Sequence, residues 1–242
     1  MSQNSICCPI QKGAMEYAVR YLKNKGYHIT PNPSSESDHL LLPVPSFPEG
    51  TGYLAPLLDT LSPKVTVYGG FLQVPPLIGY KRVDFLSDPY YLAGNAAITA
   101  SCTIEIVENI LKQSVSGHSV LILGWGRIGK CLGKLLHQKG ADVTIAARKD
   151  QDLAMIEVLG YKAVSVQDLR PHAELIINTI PAMILKVIPQ DSVAIELASK
   201  PGMTGNNIIS ARGLPGIMRP EESGKLIAET FVRLSQHQEE DL

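Results

Sequence analysis

Ser119 to Lys149 reads SVLILGWGRIGKCLGKLLHQKGADVTIAARK, and this stretch decides the fold of the chain. Val120, Leu121, Ile122 and Leu123 form a short unbroken apolar run, as expected of a strand buried on both faces. Gly124, Gly126 and Gly129 follow at G-x-G-x-x-G spacing. In such a turn the first glycine permits the tight bend. The second lets a pyrophosphate approach the backbone, and the third lets the next helix pack close to the sheet. Ile128, Leu132, Leu135 and Leu136 then share one helical face, and Gly140 suits the C′ position. Val143 to Ala147 reads as the next strand. Strand, turn, helix and strand occur in the order a dinucleotide site requires, which predicts a Rossmann domain. A mononucleotide, S-adenosyl or vestigial site on the same scaffold is the alternative.

The second strand ends in Arg148 and Lys149. An NAD site places Asp or Glu there, to accept from the ribose 2′-hydroxyl. A cationic pair fits a 2′-phosphate instead. The expected cofactor is therefore NADP, with NAD possible, held by Gly124, Trp125, Gly126, Arg127, Ile128, Gly129, Arg148 and Lys149. Two solvated surface cations are the bland alternative.

Composition narrows the class of protein. The chain has 242 residues, 45% of them hydrophobic, and a net charge of −1; its pI is near 6.6 and its mean hydropathy +0.06. These values suit an α/β protein with a substantial core and give no reason to expect a nucleic-acid or membrane partner. No apolar run reaches the roughly 18 residues of a membrane span, and MSQNSICCPI lacks a basic, signal-like start, so a cytoplasmic location is expected. Cys7, Cys8, Cys102 and Cys131 show no metal-ligand spacing, so no metal is expected and buried reduced thiols are.

Ahead of the fingerprint, short strands alternate with helices in a proline-rich first domain over 1–94. Strands are expected at 5–8, 27–30, 39–43, 65–68 and 82–86, and helices at 14–25 and 54–61. Asp88-Pro89 suits a helix start, Gly94-Asn95 an interruption, and a linker helix is expected over about 96–113. That helix opens the Rossmann domain of 95–219. A final helix begins at Pro220, with Glu221 and Glu222 favourable in its first turn. It is expected to end near Leu234, leave a polar tail, and pack back on the linker and first domain. Three late strands end in the loops NTIP, ASKPG and RGLPG, on the carboxyl edge that lines the ligand crevice of such a sheet. Asn178, Thr179, Ile180, Pro181, Leu197 and Ala198 are therefore further candidates for cofactor contact.

The segments GWGRIGK (124–130), TIAARK (144–149), IINTIPAMIL (176–185), ELASKPG (196–202) and RGLPGI (212–217), with HLLLPVPSF (39–47), occur in an order and spacing similar to the A subunits of dipicolinate synthase. The resemblance covers about 39–230 and is strongest from Asn95 onward. It implies an α/β fold with a reduced flavodoxin-like N-terminal domain and a doubly wound Rossmann domain, each on a parallel sheet. It also implies an oxidoreductase of spore formation that converts dihydrodipicolinate to dipicolinate (pyridine-2,6-dicarboxylate) with NAD(P)⁺, beside a flavoprotein-like B subunit. The family's N-x-x-x-T-x-E-G loop is matched by Asn95, Thr99 and Ser101, with serine in the place of the glutamate, and Met203 replaces the second glycine of P-G-G.

A dicarboxylate needs cationic and N–H donors. Lys200, Arg212, Asn95, Thr99 and Ser101, with N–H groups at the start of the 96–112 helix, are the candidates for substrate contact; Thr99, Ser101 and Lys200 are those for catalysis. A D-2-hydroxyacid dehydrogenase would need an acid–base histidine from the late loops, and none lies between His172 and His237. A shikimate-dehydrogenase-like enzyme would want a Lys and Asp pair in the first domain. A non-catalytic NADP-binding subunit or sensor is a further alternative. The apolar linker and final helices make a homodimer the expected assembly.

Overall fold

A computed structural model of the chain describes residues 5–47 and 50–240, with side chains described through Gln236. Two positions of the expected loop at 46–52, and the last two of the expected tail, lie outside these residues. The backbone forms two compact units, one of residues up to 95 together with those from 215, the other of 96–214.

The first unit is built on β1 (Ser5–Cys7), β2 (His28–Thr30), β3 (His39–Leu41), β4 (Thr66–Gly69) and β5 (Lys81–Asp84). All pair in parallel, in the order β2-β1-β3-β4-β5, the flavodoxin-like winding. Strand side chains alternate between faces, so the neighbours Cys7 and Cys8 join different cores. Cys8 and Ile6 pack with Met15, Val19 and Leu22 of α1 (Ala14–Asn24). Cys7 and Leu40 pack with Leu54, Leu57 and Leu58 of α2 (Leu54–Leu58). The unit is reduced because only a 3₁₀ turn, Pro75–Leu77, fills the crossover from β4 to β5.

The chain passes between units within α3 (Pro89–Leu111), which is continuous. The expected break at Gly94-Asn95 does not occur. Asp88 Oδ1 accepts from the Tyr91 N–H at 2.7 Å and caps the helix, and an interior glycine costs only about 1 kcal/mol. Gly94 serves packing instead: a Cβ there would lie 2.7 Å from Leu226 Cδ1. The linker helix thus begins at Pro89 rather than near 96.

The second unit carries β6 (Ser119–Leu123), α4 (Arg127–Gln138), β7 (Asp142–Ala147), α5 (Asp150–Val158), β8 (Lys162–Ser165), β9 (Leu175–Asn178), β10 (Val193–Glu196) and β11 (Ile208–Ser210). Its sheet is parallel throughout, in the order β11-β10-β9-β6-β7-β8, so the doubly wound fold is as expected. Leu121 and Leu123 at its centre, with Ala146, Ile176 and Ala194, pack against Leu185, Ile188 and Met203. Met203 is buried and bridges Leu185 in parallel, so the residue in place of the second glycine fills core.

The chain closes with α6 (Leu214–Met218), which was not expected, and α7 (Pro220–Glu240). α7 runs past Leu234 where a polar tail was expected; Ser235 there is still buried. Ile227, Ala228 and Phe231 of α7 enter the same core as α1. Gly224 lets the two helices meet, since a Cβ there would lie 2.3 Å from the Ala14 carbonyl oxygen. Among the described residues no helix is long and apolar enough to cross a membrane.

Candidate functional site

β6 delivers the chain to Gly124, whose φ of 108° lies where a side chain is strained. Two contacts fix this turn: the Gly124 N–H donates to the Ala146 carbonyl at 2.9 Å, and the Thr179 N–H to that of Leu123 at 2.9 Å. Gly129 is required for a different reason. A Cβ on it would sit 2.1 Å from the Gly124 carbonyl oxygen, a backbone atom that cannot swing aside. At Gly126 a Cβ would meet nothing within 4 Å. This glycine is the N-cap of α4, with no side chain capping the helix. Lys130 is the first residue whose N–H bonds back, to the Gly126 carbonyl at 2.9 Å. The N–H groups of Arg127, Ile128 and Gly129 therefore lie at an open helix terminus, where backbone donors and the helix dipole favour a phosphate.

This turn opens onto a cleft of ≈ 480 Å³ within the second unit. Gly124, Trp125 and Gly126 form one wall, Arg148, Lys149 and Asp152 a second, and Thr179, Ile180 and Pro181 a third. The fingerprint, the cationic pair and the NTIP loop are thus brought together. Arg148 and Lys149 are exposed and form no ion pair among the described residues. The turn, the open terminus and the two cations suit a dinucleotide with its pyrophosphate on α4. Asp152 is a wall residue that sequence reasoning missed. Its signal was its place in the first turn of α5, which aims it back towards the end of β7.

The polar side chains of the NTIP loop turn inward. Asn178 is fully buried; its Nδ2 donates to the Ile180 carbonyl at 3.0 Å and to Glu196 Oε1 at 2.8 Å. Its Oδ1 accepts from the Ile180 N–H at 3.0 Å. The Thr179 hydroxyl donates to the Leu123 carbonyl at 2.8 Å. Both residues shape the loop, and the geometry leaves Ile180 and Pro181 to face the cleft.

Behind them sits Glu196, also missed from sequence and 3% exposed at the end of β10. Besides Asn178, its Oε1 accepts from the Ala198 N–H at 3.1 Å and its Oε2 from that of Gly202 at 2.8 Å. One buried carboxylate thereby ties the loop after β9 to the loop after β10. Gly202 closes the knot, because a Cβ there would lie 2.3 Å from Asn178 Nδ2. A glutamate ending an otherwise apolar strand was the available signal, since buried charge demands partners. Leu197 and Ala198 are buried beside this knot.

The substrate candidates are more dispersed. Lys200 and Arg212 are exposed on the loops after β10 and β11, and pair with no carboxylate among the described residues. Asn95 and Thr99 are four residues apart on α3 and share a face, but Ser101 lies two residues on and faces away. Thr99 is buried whereas Ser101 is exposed. The expected N–H donors at the start of a 96–112 helix do not exist as such. Those groups lie inside the continuous α3, where the helix uses them.

Comparison with known proteins accords with this geometry. Residues 99–184 match the family model of the D-isomer specific 2-hydroxyacid dehydrogenase NAD binding domain, a segment that holds the whole cleft and stops before Lys200. The A subunit of dipicolinate synthase from Bacillus subtilis (strain 168) is 31% identical over 156 residues, 58% of this chain and 52% of the relative. The matched part thus spans about half the length of that curated relative. The crystal structure of the same subunit from Bacillus subtilis superposes with a TM-score of 0.84 at 22% identity, covering 100% of this chain and 99% of the other. Its counterpart from Bacillus halodurans gives 0.82 at 21% identity, covering 96% and 97%. The chain is thus similar in sequence to a dipicolinate synthase A subunit over about half of that protein, has the fold of such subunits, and carries a segment similar to an NAD binding domain.

Proposed function

We propose that the chain oxidises dihydrodipicolinate to dipicolinate, using NADP⁺ in preference to NAD⁺. The observation that carries this reading is the cleft itself, where an open α4 terminus meets Arg148 and Lys149, which form no ion pair among the described residues. The substrate is argued from the likeness to a protein named for making dipicolinate. When bound, the nicotinamide accepts the hydride. Lys200 and Arg212 are the side chains proposed to hold the two carboxylates by charge-assisted hydrogen bonds, with Asn95 and Thr99 assisting from α3. Aromatisation is downhill, so the departing ring proton needs only a weak acceptor, a role open to Thr99, Ser101 or solvent. The Glu196 knot holds the NTIP and ASKPG loops in register beside the reacting ring. A role in spore formation, a cytoplasmic location, a homodimer and a flavoprotein-like B subunit belong to the same reading.

A second reading is favoured by one feature. Ser101 stands where the resembling family has a glutamate and points away from Thr99, which suits a non-catalytic NADP-binding subunit or sensor, with chemistry supplied by a partner other than the B subunit or lost. Freshly formed dihydrodipicolinate and NADP⁺, followed by the ultraviolet absorbance of dipicolinate, separate the two. Turnover by the chain alone supports the first. Absence of turnover both alone and with a B subunit, with NADPH still bound tightly, replaces it with the second.

A further inference from the structure

The knot at Glu196 leaves a charge over. The hydrogen bonds to its two oxygens come from neutral N–H groups, those of Asn178 Nδ2, Ala198 and Gly202. No cation pairs with it among the described residues. A side chain that only accepts is in the role of an ionised carboxylate. At 3% exposure it also has little water to spread its charge.

The place of that charge in the sheet gives it a role. A doubly wound sheet binds a dinucleotide across its crevice, one nucleotide to each half. The half of β6, β7 and β8 carries the fingerprint and, after β7, Arg148, which suit the pyrophosphate and the adenosine ribose. The nicotinamide then belongs to the half of β9, β10 and β11. Asn178 ends β9 and Glu196 ends β10, as register partners. Asn178 in turn holds both the N–H and the carbonyl of Ile180, which lines the cleft. Glu196 thus stands one side chain behind the wall of the nicotinamide half.

The cations of that half compete poorly with it. Lys186, Lys200 and Arg212 are exposed on the loops after β9, β10 and β11, where water and salt damp their fields. A buried charge acts through a less polarisable medium and reaches further.

We propose that Glu196 sets which oxidation state of the coenzyme the cleft prefers. Its negative charge favours the cationic pyridinium ring of the oxidised form over the neutral ring of the reduced form, through the wall and not by contact. A chain that oxidises its substrate gains by this, because it has to load the oxidised coenzyme and release the reduced one. The inference rests on the coenzyme part of the function proposed above and is independent of the substrate.

The test is calorimetric titration of the whole chain with NADP⁺ and with NADPH, read as the ratio of the two dissociation constants. If NAD⁺ and NADH bind more tightly, the ratio is taken with that pair. Damage to the knot weakens both forms and cancels in the ratio, whereas loss of the charge does not. Wild-type protein should bind the oxidised form at least as tightly as the reduced one. Glu196→Gln keeps the size of the side chain and removes its charge. It should move the ratio against the oxidised form by about tenfold, equivalent to about 30 mV for a two-electron couple. Glu196→Asp keeps the charge and shortens the reach, so it should weaken both forms and leave the ratio near that of the wild type. The shift should persist when salt is raised from about 0.05 to about 0.5 M, since screening acts on exposed charges. An unmoved ratio in Glu196→Gln overturns the inference, as does an equal shift in Glu196→Asp. Should Glu196→Gln fail to fold, a wild type that binds the reduced form more tightly by about tenfold or more overturns it on its own. Turnover of dihydrodipicolinate with an unmoved ratio removes this inference and leaves the reaction. A moved ratio in a chain whose wild type shows no turnover does the reverse.

Discussion

Arg148 follows β7 with a charge opposite to the one that reads a ribose diol, and it stands in the cleft without an ion-pair partner among the described residues. Wild-type protein should therefore bind NADPH more tightly than NADH, and Arg148→Glu should reverse or erase the difference. Equal affinities in the wild type, by fluorescence titration, would sink the NADP assignment. Glu196 permits a sharper statement. Truncation in Glu196→Ala strands the Asn178 amide and two backbone N–H groups, at a cost of about 3 kcal/mol or more, seen as a lower denaturant midpoint with weakened NADPH binding. The thiols give a pH test. Burial raises Cys7 to about 11 and Cys8 to about 12, so at pH 8 both are almost wholly protonated and unreactive. Burial also raises Cys131, but Lys134 opposes it, and the side chain is only half-buried. Ellman's reagent at pH 8 should modify Cys131 first and reach Cys7 and Cys8 only after unfolding. Arg148 was legible from its place after a fingerprint strand. Glu196 was not, because its partners come from loops that meet only once β9 and β10 pair.

At the scale of elements, the glycines of the turn separate binding from folding. Gly126→Ala adds a methyl into open space at the phosphate cradle, so the melting temperature should hold while NADPH affinity drops at least tenfold. Gly129→Ala drives a methyl into the Gly124 carbonyl and should lose both. Equal melting temperatures for the two variants would contradict this division. Most elements fell within a residue or two of expectation, since their apolar runs and Gly or Pro stops are local signals. α3 did not. Its interruption was inferred from the glycine's propensity, whereas Leu226, from a helix more than a hundred residues later, packs where a Cβ would stand and favours the small residue. The end of α7 was misplaced for a related reason: polar residues past Leu234 look like a tail, and nothing local opposes their continuing as helix.

At the scale of the molecule, the alternation of strand and helix announced parallel sheets, and the family resemblance implied the flavodoxin-like and doubly wound windings that the two sheets have. The last helix was expected to pack back on the first domain; what sequence could not supply was the residues of the contact, where Phe231 and its neighbours cover the α1 face of the first sheet. Phe231 packs edge-on against Tyr68 at 4.8 Å and His39 at 5.5 Å. Phe231→Ala should cost about 3–5 kcal/mol, lowering the calorimetric transition of the first unit while NADPH still protects the second. This helix also sets a timetable for synthesis. Residues 96–214 form one uninterrupted stretch, and can finish folding as soon as they leave the ribosome. The unit begun earlier has to wait, because a layer of its core is encoded after residue 219. The half that starts first is thus completed last, and for the whole time it takes to translate its neighbour it presents a bare apolar face to chaperones.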